Sequence, residues 1–118
     1  MSESLVELRD ENGVFVAEVK HADLDNVRGA ELAQQLQALV PQVGSGCLII
    51  DLSVVRFIQS QGIGAALLTY NAVQAAGGHV SVCVKNDSVR RMFAVTRIDA
   101  VLEIHDDLDA AMRSMRGG

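Results

Sequence analysis

The sequence predicts a single α/β domain built on a mixed sheet of about five strands, with about four helices lying mainly on one side. Three observations carry this prediction. Apolar runs of strand length alternate with segments of helical periodicity, an order that favours a parallel core joined by helices. The pair Asn12-Gly13 separates the first two apolar runs, which predicts an antiparallel N-terminal hairpin strand. A length of 118 residues is typical of one domain, covering residues 1–118.

The N-terminal half of the chain carries signals for three strands and one helix. Residues 5–8 and 14–19 flank the hairpin turn and are predicted to be strands. Residues 47–52 form an apolar run closed by an acid, which predicts a central strand covered on both faces. Pro41 is expected to end or kink the intervening helix. The apolar residues of that helix recur at roughly helical spacing: Val27, Ala30, Leu36, Leu39, Val40 and Val43.

The C-terminal half repeats the strand–helix unit. A helix begins near Ser60 and ends at Gly77 and Gly78, where glycine supplies the backbone geometry of a helix end. Strands are predicted at residues 79–84 and 101–104. The two remaining helices follow residues that can cap them: Asn86 or Asp87 for a short helix, and Asp106 and Asp107 for the last one.

Charge and composition argue against several classes of function. The chain has 10 Lys and Arg against 15 Asp and Glu, a formal net charge of −5. This balance argues against nucleic acid, which needs a basic surface, and against recruitment to an anionic membrane. No apolar stretch approaches the roughly 20 residues that span a bilayer, and residues 1–4 lack a signal-peptide pattern. We therefore expect a cytoplasmic protein with no direct membrane insertion.

The cysteines and histidines give no metal or cofactor motif. Cys47 and Cys83 both fall in apolar runs, where reduced cysteine behaves as a small buried hydrophobe. A disulfide would require the two strands to be neighbours, and a reducing cytosol would oppose it. The spacing of His and Cys does not match a metal site, and the sequence contains no phosphate-binding loop motif. We predict no metal and no cofactor.

The most informative stretch runs from residue 49 to residue 64. An apolar strand is followed by a short turn, an apolar pair at residues 57–58, and Ser60 at the predicted N-cap of the next helix. A helix N-terminus favours negative charge, so a phosphate on Ser60 would change the surface more than the fold. Gly62 and Gly64 each cost about 1 kcal/mol in a helix interior relative to alanine, which indicates close approach of another backbone. The structural alternative for Ser60 is a plain N-cap, and the structural alternative for the two glycines is close packing of the helix against a strand.

This stretch resembles the STAS domain, the sulfate-transporter and anti-sigma-factor-antagonist family. The family motif is an apolar strand ending in Asp-Leu, a turn, an apolar pair, and then Asp-Ser-x-Gly-Leu/Ile-Gly at a helix start. The matching residues are Asp51, Leu52, Phe57, Ile58, Ser60, Gly62, Ile63 and Gly64. The resemblance continues through residues 75–78, 89–93 and 98–99 and through the order of the elements. It implies the same fold that the alternation of strands and helices predicts. It also implies that the protein is a protein–protein interaction module and not an enzyme.

The resemblance also implies an anti-sigma-factor antagonist, which acts in bacterial signalling and transcription regulation by partner switching. Stand-alone members bind an anti-sigma factor that is also a serine kinase; phosphorylation of the motif serine blocks docking, and a phosphatase restores it. If the family's roles are transferred to this sequence, Ser60 is the phosphoacceptor and Asp25 matches an acidic position near the same surface. The alternative for Asp25 is a plain helix cap. The expected partner-binding residues are Asp23, Asp25, Gln59, Ser60, Gln61, Gly62, Gly64, Arg90 and Arg91.

Two departures from the motif and one rival class leave alternatives open. Gln59 replaces the usual aspartate, and Gln61 follows the serine where a polar or serine residue is common. An amide keeps hydrogen-bonding capacity but loses the charge. The alternative is therefore a STAS scaffold or adaptor without phosphorylation, in a stress-sensing assembly or a lipid transport complex. The remote rival is a small serine hydrolase with Ser60, Asp99 and His105 as its triad, although the chain is short for that class and lacks an oxyanion-hole motif.

Overall fold

The computed structural model describes residues 4–117, and its elements follow the predicted alternation, with two additional very short strands. The strands are β1 (Val6–Glu11), β2 (Val14–Val19), β3 (Asp23–Leu24), β4 (Cys47–Asp51), β5 (Phe57–Ile58), β6 (His79–Cys83) and β7 (Glu103–His105). The helices are α1 (Asn26–Val43), α2 (Ser60–Ala75), α3 (Asp87–Val95) and α4 (Leu108–Gly117), and a 3-10 turn covers Ile98–Ala100.

The main sheet has five strands in the order β1-β2-β4-β6-β7, which confirms the predicted mixed sheet. β1 runs antiparallel to β2, whereas the pairs β2–β4, β4–β6 and β6–β7 are all parallel. The hairpin turns at Asn12 and Gly13, whose φ angles are 56° and 91°, because a tight hairpin needs left-handed residues at its centre. The parallel pairs are each joined through a helix, as parallel pairing requires.

A second sheet, which the sequence analysis did not predict, pairs β3 with β5 in parallel. Asp23 is the register partner of Phe57, and the backbone N–H of Gln59 donates to the carbonyl of Leu24 at 2.9 Å. Each strand has two residues, so side-chain periodicity could not reveal it. This small sheet joins the segment after β2 to the segment before α2, and it brings the starts of α1 and α2 together.

Helices cover both faces of the main sheet, with α1, α2 and α3 on one face and α4 on the other. This arrangement fits the expected four helices lying mainly on one side. None of the helices in residues 4–117 combines the length and the apolar character needed to cross a bilayer. Burying one large apolar side chain contributes about 1.5–3 kcal/mol. The larger core includes Leu32, Leu36, Leu48, Ile50, Ile63 and Phe93, and the core under α4 includes Val14, Val16, Ile49, Cys83 and Ala111.

Helix α1 buries most of the predicted apolar residues but not the first two. Leu36 and Val43 lie in the core, and Leu39 and Val40 pack against it. Val27 is 69% exposed and Ala30 is also exposed, because the buried face is centred on Gly29, Leu32 and Leu36. Pro41 does not end the helix. It lies inside α1, whose last residue is Val43, and the buried side chain of that residue holds the final turn against the core.

The last strand begins two residues later than the sequence indicated. Residues 101–104 were predicted to form it, whereas β7 covers Glu103–His105. The segment before β7 closes a tight turn instead, with the Val101 N–H donating to the carbonyl of Ile98 at 2.9 Å. Val101 is therefore 51% exposed, and the buried residue of this segment is Leu102.

Both cysteines are free, and Cys83 is buried. In the register of β4 and β6, Cys47 lies opposite His79 and Cys83 lies opposite Asp51, so the cysteines occupy opposite ends of this strand pair. Burial raises the pKa of the Cys83 thiol from 9.0 to about 12, and the negative charges of Asp51 and Asp107 act in the same direction. The thiol therefore stays neutral in the folded protein when an exposed thiol would ionise.

We predict that Cys83 makes the fold less stable at alkaline pH. The unfolded thiol ionises near its ordinary pKa of 9.0, whereas the folded thiol holds its proton up to about 12. Between these values the unfolded state binds fewer protons, so the free energy of unfolding falls as pH rises. The test is urea denaturation of the wild type and Cys83→Ala at about pH 8 and about pH 10.5, on either side of the unfolded pKa. The substitution should lower the free energy of unfolding by less at the higher pH. An equal difference at both pH values contradicts the prediction.

Candidate functional site

Ser60 is the first residue of α2, and its side chain is exposed. The N-cap position belongs to Gln59, so the expectation that Ser60 is the N-cap is wrong by one residue. An N-cap serine uses its oxygen to accept backbone N–H groups of its own helix. The Ser60 hydroxyl instead makes no hydrogen bond within residues 4–117, which leaves its oxygen available to another molecule.

Two amide side chains fasten the residues on either side of Ser60 to α1. The Gln59 Oε1 atom accepts the backbone N–H of Asn26 at 2.9 Å. The Asn26 Oδ1 atom accepts the backbone N–H of Gln61 at 3.1 Å. Gln59 makes no capping bond to α2, the helix that it precedes. Its side chain caps α1 instead, and the side chain of Asn26, the first residue of α1, caps α2. Both N–H groups belong to the set that a helix start leaves without intrahelical partners.

The two candidate aspartates have different surroundings. Asp25 is the N-cap of α1: its Oδ1 atom accepts the backbone N–H of Arg28 at 2.9 Å, and its Oδ2 atom lies 3.3 Å from the Arg28 guanidinium. The cap considered as an alternative is therefore present. Asp23 is exposed in β3, beside Phe57 in the small sheet. Contact of either carboxylate with a partner stays a prediction.

The glycines of the motif lie in two different environments. A β-carbon on Gly62 would lie 2.7 Å from Ile58 Cγ1, and one on Gly29 would lie 2.4 Å from the backbone nitrogen of Gly62. α1 therefore touches α2 at a point where Gly29 has no room for a side chain, and Gly62 has no room for one against Ile58 of β5. A β-carbon on Gly64 would have no other atom within 4 Å. Packing inside the protein explains Gly29 and Gly62, and it does not explain Gly64.

Exposed apolar side chains lie in the segments beside the start of α2 and about two turns further along this helix. Phe57 is 48% exposed, Val27 is 69% exposed and Leu68 is 53% exposed. Single exposed apolar residues are ordinary on protein surfaces, whereas several in one region are typical of a protein-binding patch. We call this region the Ser60 surface and define it by Asp23, Val27, Phe57, Ser60, Gln61, Gly64 and Leu68.

The two arginines of α3 are not equivalent. The Arg90 Nη2 atom donates to the carbonyl of Val84 at 3.1 Å and forms an ion pair with Asp106. Arg90 therefore ties α3 to the segments that follow β6 and β7. Arg91 is exposed. Because α3 packs against β5, the helix borders the Ser60 surface, and Arg91 is better placed than Arg90 to reach a partner.

The residues of the serine-hydrolase alternative are not assembled into a triad. His105 Nε2 lies 3.1 Å from Glu103 Oε1, and within residues 4–117 no hydrogen bond links Ser60, Asp99 and His105. In the same part of the chain, no group of three or more His, Cys, Asp or Glu side chains could hold a metal ion. The chemistry the site offers is that of an exposed hydroxyl at the positive end of a helix, where negative charge is stabilised by roughly 0.3–1 kcal/mol.

The site residues predicted from the sequence did not include four residues of this region: Asn26, Val27, Phe57 and Leu68. The bond between Asn26 and Gln61 spans 35 residues, a separation that no local pattern reveals. Val27 could have been placed outside, because it lies off the helical stripe that contains Leu32 and Leu36.

Comparisons with known proteins agree on one family. A family model described as the STAS domain matches residues 6–111. The chain is 22% identical over 102 residues to the anti-sigma F factor antagonist of Paenibacillus polymyxa, covering 86% of each chain. It is similar to the crystal structure of an anti-sigma factor antagonist from Mycobacterium paratuberculosis, with a TM-score of 0.83, 29% identity and coverage of 94% and 92%. It also matches the fold of the Bacillus cell fate determinant SpoIIAA in its phosphorylated form, with a TM-score of 0.64, 15% identity and coverage of 92% and 98%.

We predict that Gly29→Ala lowers the free energy of unfolding by about 2 kcal/mol, because the added methyl group overlaps the backbone of Gly62 and forces α1 and α2 apart. Gly64→Ala is the matched control, since the same methyl group enters open space and should raise the free energy of unfolding by up to about 1 kcal/mol. Urea denaturation followed by circular dichroism measures both variants. Effects of the same sign and size would show that the helices do not touch at Gly29.

Proposed function

The chain belongs to the STAS domain family, and we propose that it acts as an anti-sigma-factor antagonist that docks its partner through the Ser60 surface. The observation that carries the proposal is the exposed Ser60 hydroxyl, which makes no hydrogen bond within the described chain and lies at the start of α2. The names of the Paenibacillus relative and of the mycobacterial structure support the regulatory role. The proposed partners are an anti-sigma factor that is also a serine kinase, and a phosphatase.

The Ser60 surface has the composition that a protein partner requires. Phe57 supplies a partly exposed aromatic anchor, and Val27 and Leu68 extend the apolar area. Aromatic residues at the centre of an interface commonly carry most of the binding free energy. The polar rim is formed by Asp23 and Gln61, both exposed, and polar rims of this kind fix orientation more than affinity.

Phosphorylation of Ser60 would act as a switch because it changes the charge of the surface and leaves the fold in place. A phosphoryl group adds up to about two negative charges, and the start of α2 tolerates them. In a complex, the partner would have to bury this charge without a matching cation, which is costly. The Bacillus structure of the same fold, which is in its phosphorylated form, supports the proposal that this fold accommodates a phosphoryl group.

A STAS scaffold or adaptor without phosphorylation is the second candidate, and Gln59 favours it. The side chain of Gln59 is bonded to Asn26, so no carboxylate at that position orients the Ser60 hydroxyl for phosphoryl transfer. Neither candidate requires catalysis by this chain. We propose a cytoplasmic location for both, and the net charge of −5 argues against nucleic acid as a partner of either.

We predict that Ser60→Asp weakens binding to the anti-sigma factor by about tenfold or more, because a fixed negative charge enters the interface. Ser60→Ala is the matched control and should bind within about twofold of the wild type, since only a hydroxyl is lost. Isothermal titration calorimetry measures the affinities, and unchanged circular dichroism shows that both variants are folded. Equal binding by the two variants would remove Ser60 from the mechanism.

The same proteins separate the two candidate functions. Incubation with ATP and the cognate kinase should add the mass of one phosphoryl group to the wild type and nothing to Ser60→Ala. Modification of the wild type, with reduced binding afterwards, supports the switch. Binding of the anti-sigma factor with no modification supports the scaffold.

We predict that Gly64→Ala gains stability and loses affinity. The methyl group favours the helix by up to about 1 kcal/mol, but it occupies space that the proposal reserves for the partner. Gly64→Leu should lose more affinity than Gly64→Ala while remaining folded. Calorimetric titration and urea denaturation of the same samples measure both properties. Affinity that is unchanged across the series would place Gly64 outside the interface.

A further inference from the structure

Asn26 is bonded to the residues on both sides of Ser60. Its backbone N–H donates to Gln59 Oε1 at 2.9 Å, and its Oδ1 atom accepts the N–H of Gln61 at 3.1 Å. These contacts span 33 and 35 residues of sequence. The exposed serine is therefore held between two hydrogen bonds that end on one residue of a neighbouring helix.

The two side chains that cross between the helices, Asn26 and Gln59, are amides and not carboxylates. A carboxamide oxygen accepts a hydrogen bond as a carboxylate does, but it carries no net charge. The nearest acidic cap, Asp25, is paired with Arg28 at 3.3 Å. The Gln61 N–H at the start of α2 thus goes to a neutral acceptor, and the charge of the α1 cap is offset by Arg28. A negative group on Ser60 therefore meets less repulsion than it would with Asp or Glu at residue 59.

We infer that Asn26 and Gln59 form a reciprocal amide pair that holds Ser60 in position and adds no negative charge beside it, so that the site accommodates a phosphoryl group in its fully ionised form. Asn26 is a positioning residue in this arrangement, because it acts on Ser60 through Gln59 and Gln61. The inference rests on the proposed phosphorylation of Ser60, and it deepens that proposal by naming the residues that regulate the site.

The positional half is tested by amide hydrogen exchange, measured by NMR residue by residue. Asn26→Ala removes the acceptor of the Gln61 N–H, whose exchange should become roughly five- to tenfold faster. Gln59→Ala should speed exchange of the residue 26 N–H by a similar factor. Asn26→Asp and Gln59→Glu keep an acceptor oxygen and should retain the protection. This crossed pattern, in which each substitution releases an N–H of the other helix, is the expected result.

A general loosening of the structure would give a different pattern. It would speed exchange at both N–H groups in either alanine variant, and the conservative variants would not separate from them. That result, or exchange that does not respond to either substitution, overturns the pair. If an alanine variant fails to fold, comparison of Asn26→Asp with Asn26→Leu, which fills the space without an acceptor, provides the same test.

The electrostatic half is tested on protein that carries phosphoserine at residue 60, installed during translation so that no kinase is needed. The second ionisation of phosphoserine has a pKa of about 6, and phosphorus NMR follows it. Gln59→Glu keeps the hydrogen bond and adds a negative charge, so it should raise this pKa by about half a unit. Gln37→Glu is the matched control, because Gln37 is exposed on α1 about 16 Å along the helix from Asn26.

The outcomes distinguish this inference from the proposed function. An equal pKa shift in Gln59→Glu and Gln37→Glu, or no shift in either, overturns the inference even if the anti-sigma factor binds as proposed. A crossed exchange pattern with a selective pKa shift supports the pair even if no kinase modifies Ser60, in which case the phosphorylation proposal fails alone.

Discussion

The contact between α1 and α2 at Gly29 and Gly62 determines the geometry of the whole site. The helices approach so closely that a single added carbon on Gly29 would lie 2.4 Å from a backbone nitrogen. Only at this separation can the side chains of Asn26 and Gln59 reach across and cap each other's helix. The small sheet of β3 and β5 supports the contact from outside, because it fixes the segment that leads into each helix.

The rest of the fold supports this region without taking part in it. The five-stranded sheet is closed on its second face by α4. The outer strand β1 carries Arg9, which pairs with Glu11 at 2.7 Å and with Glu18 at 2.9 Å. The hydrogen bond and charges of these glutamates keep the pKa of Arg9 above its usual range. A charged edge of this kind resists pairing with other strands.

Sequence reasoning recovered the parts of the structure that local patterns encode. The hairpin at Asn12 and the alternation of strands and helices follow from turn chemistry and periodicity, and the motif around Ser60 pointed to the family. The position of Ser60 was wrong by one residue because the Gln61 N–H at this helix start is bonded to Asn26, which is distant in sequence and adjacent in space. The ion pair between Arg90 and Asp106 was missed for the same reason, since the two residues are 16 positions apart in the sequence.

The placement of the two cysteines has a practical consequence for spectroscopy. Cys83 is buried and its thiol resists ionisation, whereas Cys47 is partly exposed at the beginning of β4. The start of α2 lies beyond the opposite, carboxyl end of that strand. The natural protein therefore presents one conjugatable thiol, and a fluorophore attached there can report on complex formation by anisotropy without covering the face that a partner would occupy.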